Sequence, residues 1–142
     1  MFEDDAEAVV VTVNCVGVMG KGVALIARDL YPKNFENYRK MCRQNLYIPG
    51  CVHMFIEDNK KVINFATKNH WRNPSHIGWI QKGLAELRRL IQDKSIKSIA
   101  VPPVGCGNGK LDWIEVEPLV KKWLEDLDCD VRLYAPETEV KF

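Results

Sequence analysis

The sequence predicts an α/β fold in which helices sandwich a mixed sheet, and three observations carry that expectation. Ala8-Val9-Val10-Val11-Thr12-Val13-Asn14 is a near-continuous β-branched run, the pattern of a strand buried on both faces of a parallel sheet, and Ile96 to Val101 repeats it. Both runs lead into a glycine loop and then an amphipathic helical pattern. Strand and helix patterns alternate along the chain with no linker, repeat or low-complexity segment.

The elements follow in order. After the first strand and its loop, Val23, Ile26, Ala27 and Leu30 fall on one helical face, which Tyr31-Pro32 ends. A second helix carries Phe35, Tyr38, Met41 and Cys42 as its apolar stripe. Cys51 to Ile56 and Lys61 to Ala66 read as a hairpin about the polar turn Glu57-Asp58-Asn59-Lys60. Thr67 to Ser75 is a polar loop with an aromatic, and Ser75 is placed to cap the next helix, whose stripe is Ile77, Ile80, Leu84, Leu87 and Ile91. Past the second buried strand and glycine loop, a last helix turns Val116, Leu119, Val120, Trp123 and Leu127 inward. Pro118 fits it only in or near the first turn. Val131 to Ala135 reads as the final strand, which makes the order β-αα-ββ-α-β-α-β.

The length of 142 residues suits one domain over residues 1–142, large enough to need no disulfide or metal staple. Hydrophobic residues at 46% and charged residues at 27% exclude a disordered or collagen-like chain. Twenty basic against nineteen acidic residues leave +1, which excludes nucleic-acid binding by bulk charge but not by a local patch. The longest uncharged apolar-rich run, Ala8 to Gly20, is too short and too broken to span a bilayer, and the acidic start Met1-Phe2-Glu3-Asp4-Asp5 does not resemble a signal peptide. Five cysteines without CxxC spacing read as reduced thiols in a cytoplasm.

The two loops carry the functional signal. Glycines at 17, 20 and 22 have the spacing GxxGxG, not the dinucleotide fingerprint. The second loop, Gly105-Cys106-Gly107-Asn108-Gly109-Lys110-Leu111, has leucine where a P-loop needs Ser or Thr. What both offer is unhindered backbone N–H groups beside helix starts, at the strand ends where such sheets bind ligands, a site suited to a diphosphate. Asn14, at the end of the first strand, has two readings of equal weight: it satisfies loop backbone groups, or its amide fixes a sugar hydroxyl.

Three segments together, TVNCVGVMGKGVAL (12–25), INFATKNHWRNPS (63–75) and VPPVGCGNGKLDW (101–113), resemble the macrodomain family across essentially the whole chain. They are most similar to the branch holding the DarG antitoxins and the terminal ADP-ribose protein glycohydrolases. The resemblance implies a three-layer α/β/α fold with a mixed sheet and a cleft for ADP-ribose at the strand ends. The ligand-binding residues it implies are Asn14, Cys15, Val16, Met19, Gly20, Lys21 and Gly22 in the first loop, with Asn14 by the distal ribose. In the second they are Val104, Gly105, Cys106, Gly107, Asn108 and Gly109. A lysine after the family's fourth strand is catalytic in this branch, and Lys68 matches it. DarG-like members remove ADP-ribose from thymine in single-stranded DNA and undo a DarT-type toxin, so ADP-ribosylated single-stranded DNA and a DarT-like toxin are the implied partners. No cofactor and no metal are implied.

Three departures from the family pattern bear on this expectation. Gly109 stands where the human-type members carry an aspartate (GCGLDRLQW), an absence that DarG-like sequences share and that favours DNA over an ester-linked protein substrate. Val11 replaces the first asparagine of the usual NTVN. The chain begins after the family's first edge strand and its adenine-recognising segment, which predicts a missing edge strand, an unpaired edge at Val131 to Ala135 and altered adenine recognition. The C-terminal partner domain of DarG proteins has no counterpart in this sequence.

Cleaving an N-glycosidic bond passes through an oxocarbenium-like state, and Lys68 has two routes to assist it: attack as an amine, or proton donation as an ammonium. A bound diphosphate favours the ammonium and burial the amine. His70, Trp71 and Arg72 suit base stacking and phosphate contact on single-stranded DNA, against the alternative of Trp71 folded over the core. His70 and His76 lack further metal ligands at suitable spacing. Cys106 serves the turn rather than nucleophilic chemistry. The sequence therefore predicts an ADP-ribosyl glycohydrolase, with a non-catalytic ADP-ribose binder and an ester-cleaving protein de-ADP-ribosylase as alternatives.

Overall fold

The computed structural model describes residues 1–136. Its elements are β1 (Ala8–Val13), α1 (Gly22–Leu30), α2 (Pro32–Arg43), β2 (Val52–Glu57), β3 (Lys60–Ala66), α3 (Ile77–Asp93), β4 (Ser98–Val101), α4 (Trp113–Leu124) and β5 (Asp130–Leu133), with a 3-10 turn at Gly107–Gly109. The five strands lie in the order β2-β3-β1-β4-β5. β1 runs parallel to β3 and β4, and β4 parallel to β5, while β2 is antiparallel to β3. β3 crosses through α3 to β4 on the other side of β1, so the chain reverses direction around β1. Such switch points open a crevice at the strand carboxyl ends.

The β-branched run of β1 lies at the centre for the reason its composition suggests. Val9, Val11 and Val13 pack beneath α1 and α2, whereas Ala8 and Val10 face α3 and α4. Both faces are dry, and no polar alternation is needed. In α3, Ile80, Leu84, Leu87 and Ile91 are buried as the stripe predicts. Gly83 beside them lets the helix approach the sheet: a Cβ there would sit 2.2 Å from the Phe65 ring.

The hairpin turn is tighter than expected. Glu57 pairs with Lys60, and only Asp58 and Asn59, both with positive φ, form the loop. The predicted edge is present, since β5 closes one side of the described sheet, although the strand is Asp130–Leu133 rather than Val131 to Ala135.

Four expectations are corrected. Ile26 and Leu30 of α1 are 50% and 47% exposed, because the short helix covers the sheet only through Ala27 and its partly buried neighbours. Ser75 does not cap α3; His76 holds the cap position, and the buried Ser75 hydroxyl has no hydrogen-bond partner among the described residues. Pro118 sits in the second turn of α4, where the carbonyl it cannot pair belongs to solvent-exposed Ile114. Leu127 lies beyond the end of α4, and Leu124 takes the buried position.

Candidate active site

Three loops leave the carboxyl ends of the adjacent strands β3, β1 and β4, and hydrogen bonds stitch them together. Thr67 donates its N–H to Val13 O (3.0 Å), and Cys15 donates to Asn69 O (3.1 Å). The Cys15 thiol lies 3.3 Å from Lys68 O. On the other side, Ser75 N–H donates to Gly109 O at 2.9 Å. The two glycine loops meet where Asn108 Nδ2 lies 3.7 Å from the place a Cβ on Gly22 would occupy.

Asn14 organises the first loop. Its Oδ1 accepts from Val16 N (3.1 Å), Val18 N (3.3 Å) and the Tyr38 hydroxyl (2.8 Å), and its Nδ2 donates to Val18 O (2.7 Å). The structural reading of Asn14 is thus the one the geometry displays. Burial raises the Tyr38 phenol far above its usual range, so the donor stays protonated. Met19 is buried as an anchor, while Val16, Val18, Gly20, Lys21 and Gly22 are exposed. Lys21 occupies the N-cap position of α1 without a side-chain cap, which leaves the first amides of that helix to an incoming anion.

The second loop is built against the core. Val104 and Gly105 are buried, and Gly105 has φ +77°. A Cβ there would lie 2.7 Å from Leu111 Cδ1 and 2.9 Å from Ile80 Cδ1. Backbone bonds from Lys110 to Gly107 O and from Leu111 to Gly105 O, both 2.9 Å, close the turn. Gly109 is buried, with Ser75 Cβ 3.3 Å from where its own Cβ would stand, so an aspartate at this position meets Ser75 at once. Cys106 is half-buried, its thiol raised by burial and then by Asp112, and its nearest hydrogen-bond partner is Val104 O at 3.8 Å. Neither a base nor a lowered pKa activates it.

Lys68 stands two residues beyond β3, at the same carboxyl end of the strands as both loops. Its amine donates to Trp71 O at 3.2 Å. Partial burial lowers its pKa, and the charges of Lys110 and Lys21 lower it further. Among the described residues the lysine ion pairs are those of Lys61, Lys97 and Lys121, so the three lysines around the cleft carry no acid partner. Three lysines without an acid partner thus stand beside two loops in which, among the described residues, the amides of Gly20 to Gly22, Gly107 and Asn108 make no backbone bond, a combination suited to an anion. Lys110 was legible in the sequence only as a failed P-loop lysine; its being the one charged side chain in the second loop was the signal.

Trp71 is 42% exposed and does not fold over the core. The Arg72 guanidinium stacks 4.6 Å from its ring centroid, and His70 lies 5.2 Å from it on a tilt of 31°. This platform is tied to Lys68 by the Trp71 carbonyl. His76 instead contacts Trp79 edge-on. Among the described residues no group of His, Cys, Asp and Glu is placed to hold a metal ion, and no helix is long and apolar enough to cross a membrane. A separate groove between α4 and β5, lined by Val120, Leu124, Val131 and Leu133, lies at the sheet edge away from these loops.

The family model for the macro domain matches residues 10–120. The DNA ADP-ribosyl glycohydrolase of Mycobacterium tuberculosis is 47% identical over 143 residues, covering 96% of this chain and 40% of the relative. The solved macrodomain of Mycobacterium tuberculosis DarG superposes with a TM-score of 0.92 at 44% identity, covering 94% of this chain and 91% of that one. Thermosipho africanus DarTG in complex with ADP-ribose gives 0.90 at 33% identity, covering 99% of this chain and 41% of that one. The chain thus spans about 40% of the length of the curated relative it matches. With its loops, its sheet and these likenesses in agreement, the chain belongs to the macrodomain family.

Proposed function

We propose that this chain is a glycohydrolase that binds ADP-ribose and removes it from thymine in single-stranded DNA, reversing the act of a DarT-like transferase in the cytoplasm. The observation that carries the reading is the position of Lys68, bonded through its own backbone to the first loop and electrostatically coupled to Lys21 and Lys110 on both rims. The names of the Mycobacterium relative and of the ADP-ribose-bound Thermosipho structure support the same chemistry.

In this reading the amides of Gly20 to Gly22 and those of Gly105, Gly107 and Asn108 hold the pyrophosphate, and the distal ribose turns its anomeric carbon toward Lys68. The downward pull on the Lys68 pKa supports the amine route. The nitrogen lone pair forms a bond to the anomeric carbon as the bond to thymine breaks, and the proton released by nitrogen goes to the base. Water then hydrolyses the glycosylamine, returning the free amine and ADP-ribose. Because the amine is the reactive form, the rate rises with pH and levels off below the usual lysine range.

The test is incubation with an oligodeoxynucleotide carrying one ADP-ribosylated thymidine, beside a glutamate-linked ADP-ribosyl peptide. The expected result is release of ADP-ribose from the DNA and its loss in Lys68→Ala. Calorimetric binding of ADP-ribose with no release would make the chain a reader, and release from the peptide alone would make it an ester-cleaving enzyme.

A further inference from the structure

The charge of the molecule is unevenly placed. Helix α2 holds Lys33, Arg39, Lys40 and Arg43 against the single acid Glu36, a net +3 in twelve residues of a chain whose total is +1. Arg39, Lys40 and Arg43 are all exposed. Glu36 engages only Arg39, at 3.3 Å, so Lys40 and Arg43 stand among the described residues without an ion pair.

This basic helix is linked by contacts to the segment that carries the reactive lysine. From Lys68 and Asn69 the chain contacts pass to Cys15 through the 3.1 Å backbone bond and the 3.3 Å thiol contact. Two residues on, Gly17 lies against α2: a Cβ on it would sit 3.8 Å from Arg39 Cα and 3.7 Å from Cys42 Cβ. The Trp71–Arg72 platform stands beside Lys68, whose amine donates to Trp71 O at 3.2 Å. These contacts join, in order, an aromatic platform, the amine, the first loop with its exposed Val16, and the helix end that carries three cations.

We infer that the outer face of α2, through Arg39, Lys40 and Arg43, is the track for the sugar-phosphate backbone of a single DNA strand on one side of the modified base. The inference rests on the DNA reading above and adds a direction to it: the strand crosses the cleft from Trp71 to α2. Charge complementarity and continuity with Lys68 select a polyanionic strand as the occupant. Backbone contacts of this kind are independent of sequence, depend on salt and strengthen with strand length.

Two substrates test it: an eleven-nucleotide strand with a central ADP-ribosylated thymidine, and the ADP-ribosylated nucleoside alone. Lys40→Glu/Arg43→Glu is compared with Lys121→Glu/Lys122→Glu on α4, on the opposite layer. The first pair is expected to lower kcat/KM on the strand roughly tenfold and flatten its log–log salt dependence by about 1 to 2, at about 0.7 per single-strand phosphate contact. Release from the nucleoside stays unchanged, and the α4 pair alters neither substrate. Equal effects on strand and nucleoside, or no effect on either, would overturn the assignment. Fluorescence anisotropy with unmodified oligodeoxythymidine reads the same surface without catalysis. There the α2 pair weakens binding and the α4 pair does not; equal behaviour of the two pairs overturns the track whether or not any ADP-ribose is released. A wild type that binds by this pattern yet releases nothing would sink the glycohydrolase reading and leave the track standing.

Discussion

The two glycine loops come together at Gly22 and Asn108 but are held in opposite ways. The first is wired by a side chain: Asn14 reaches back to Val16 and Val18 and is itself gripped by Tyr38. Its tip is exposed, and a Cβ on Gly17, Gly20 or Gly22 would meet its neighbours only in ordinary van der Waals contact, the nearest being Val18 at 3.6 Å from Gly20. The second is fixed by packing: Gly105 is buried between Leu111 and Ile80, and only backbone bonds close the turn. The first loop thus has a removable brace and a tip free to settle on a ligand, while the second presents its amides from the core itself.

Substitutions sharpen this contrast in descending order. Gly105→Ala combines positive φ with overlap against a fully buried isoleucine, and is expected to cost about 3 kcal/mol in urea unfolding; a loss under about 1 kcal/mol would mean that the second loop is not core-built. Asn14→Ala strips the side-chain acceptor from the amides of Val16 and Val18, while the Tyr38 hydroxyl keeps the Asn14 backbone carbonyl at 2.8 Å, and should cost about 2 kcal/mol. Its distinguishing signature is hydrogen exchange: the amides of Val16 and Val18 accelerate while those of Lys110 and Leu111 keep their protection. Uniform acceleration of both loops would contradict independent bracing. Ser75→Ala removes a hydroxyl that has no partner among the described residues while the backbone link to Gly109 stays, so stability should hold within about 0.5 kcal/mol; a larger loss would show that the hydroxyl ties the β3 loop to the second glycine loop.

Part of this was readable from the residues. Buried parallel strands need no alternation, so β1 and β4 announce themselves as β-branched runs, and long helices such as α3 show their stripe plainly. α1 did not, because nine residues hold too little periodicity to say which apolar side chains the sheet reaches; Ile26 and Leu30 are the result. Asn14 was legible as important, while its partner Tyr38 was hidden within a helix stripe, since the contact spans 24 positions. Trp71 depended on loop geometry that no periodicity encodes. Lys110 holds φ +64° in a lysine, a backbone state its residue type gives no reason to expect.

The central claim is that both glycine loops and Lys68 form one site. A crystal structure of the Lys68→Ala protein with an ADP-ribosylated thymidine tests it most directly. The account predicts the pyrophosphate within hydrogen-bond distance of amides from both loops, with the anomeric carbon opposite the truncated side chain. A nucleotide bound elsewhere, or one whose anomeric carbon points away from position 68, would contradict it.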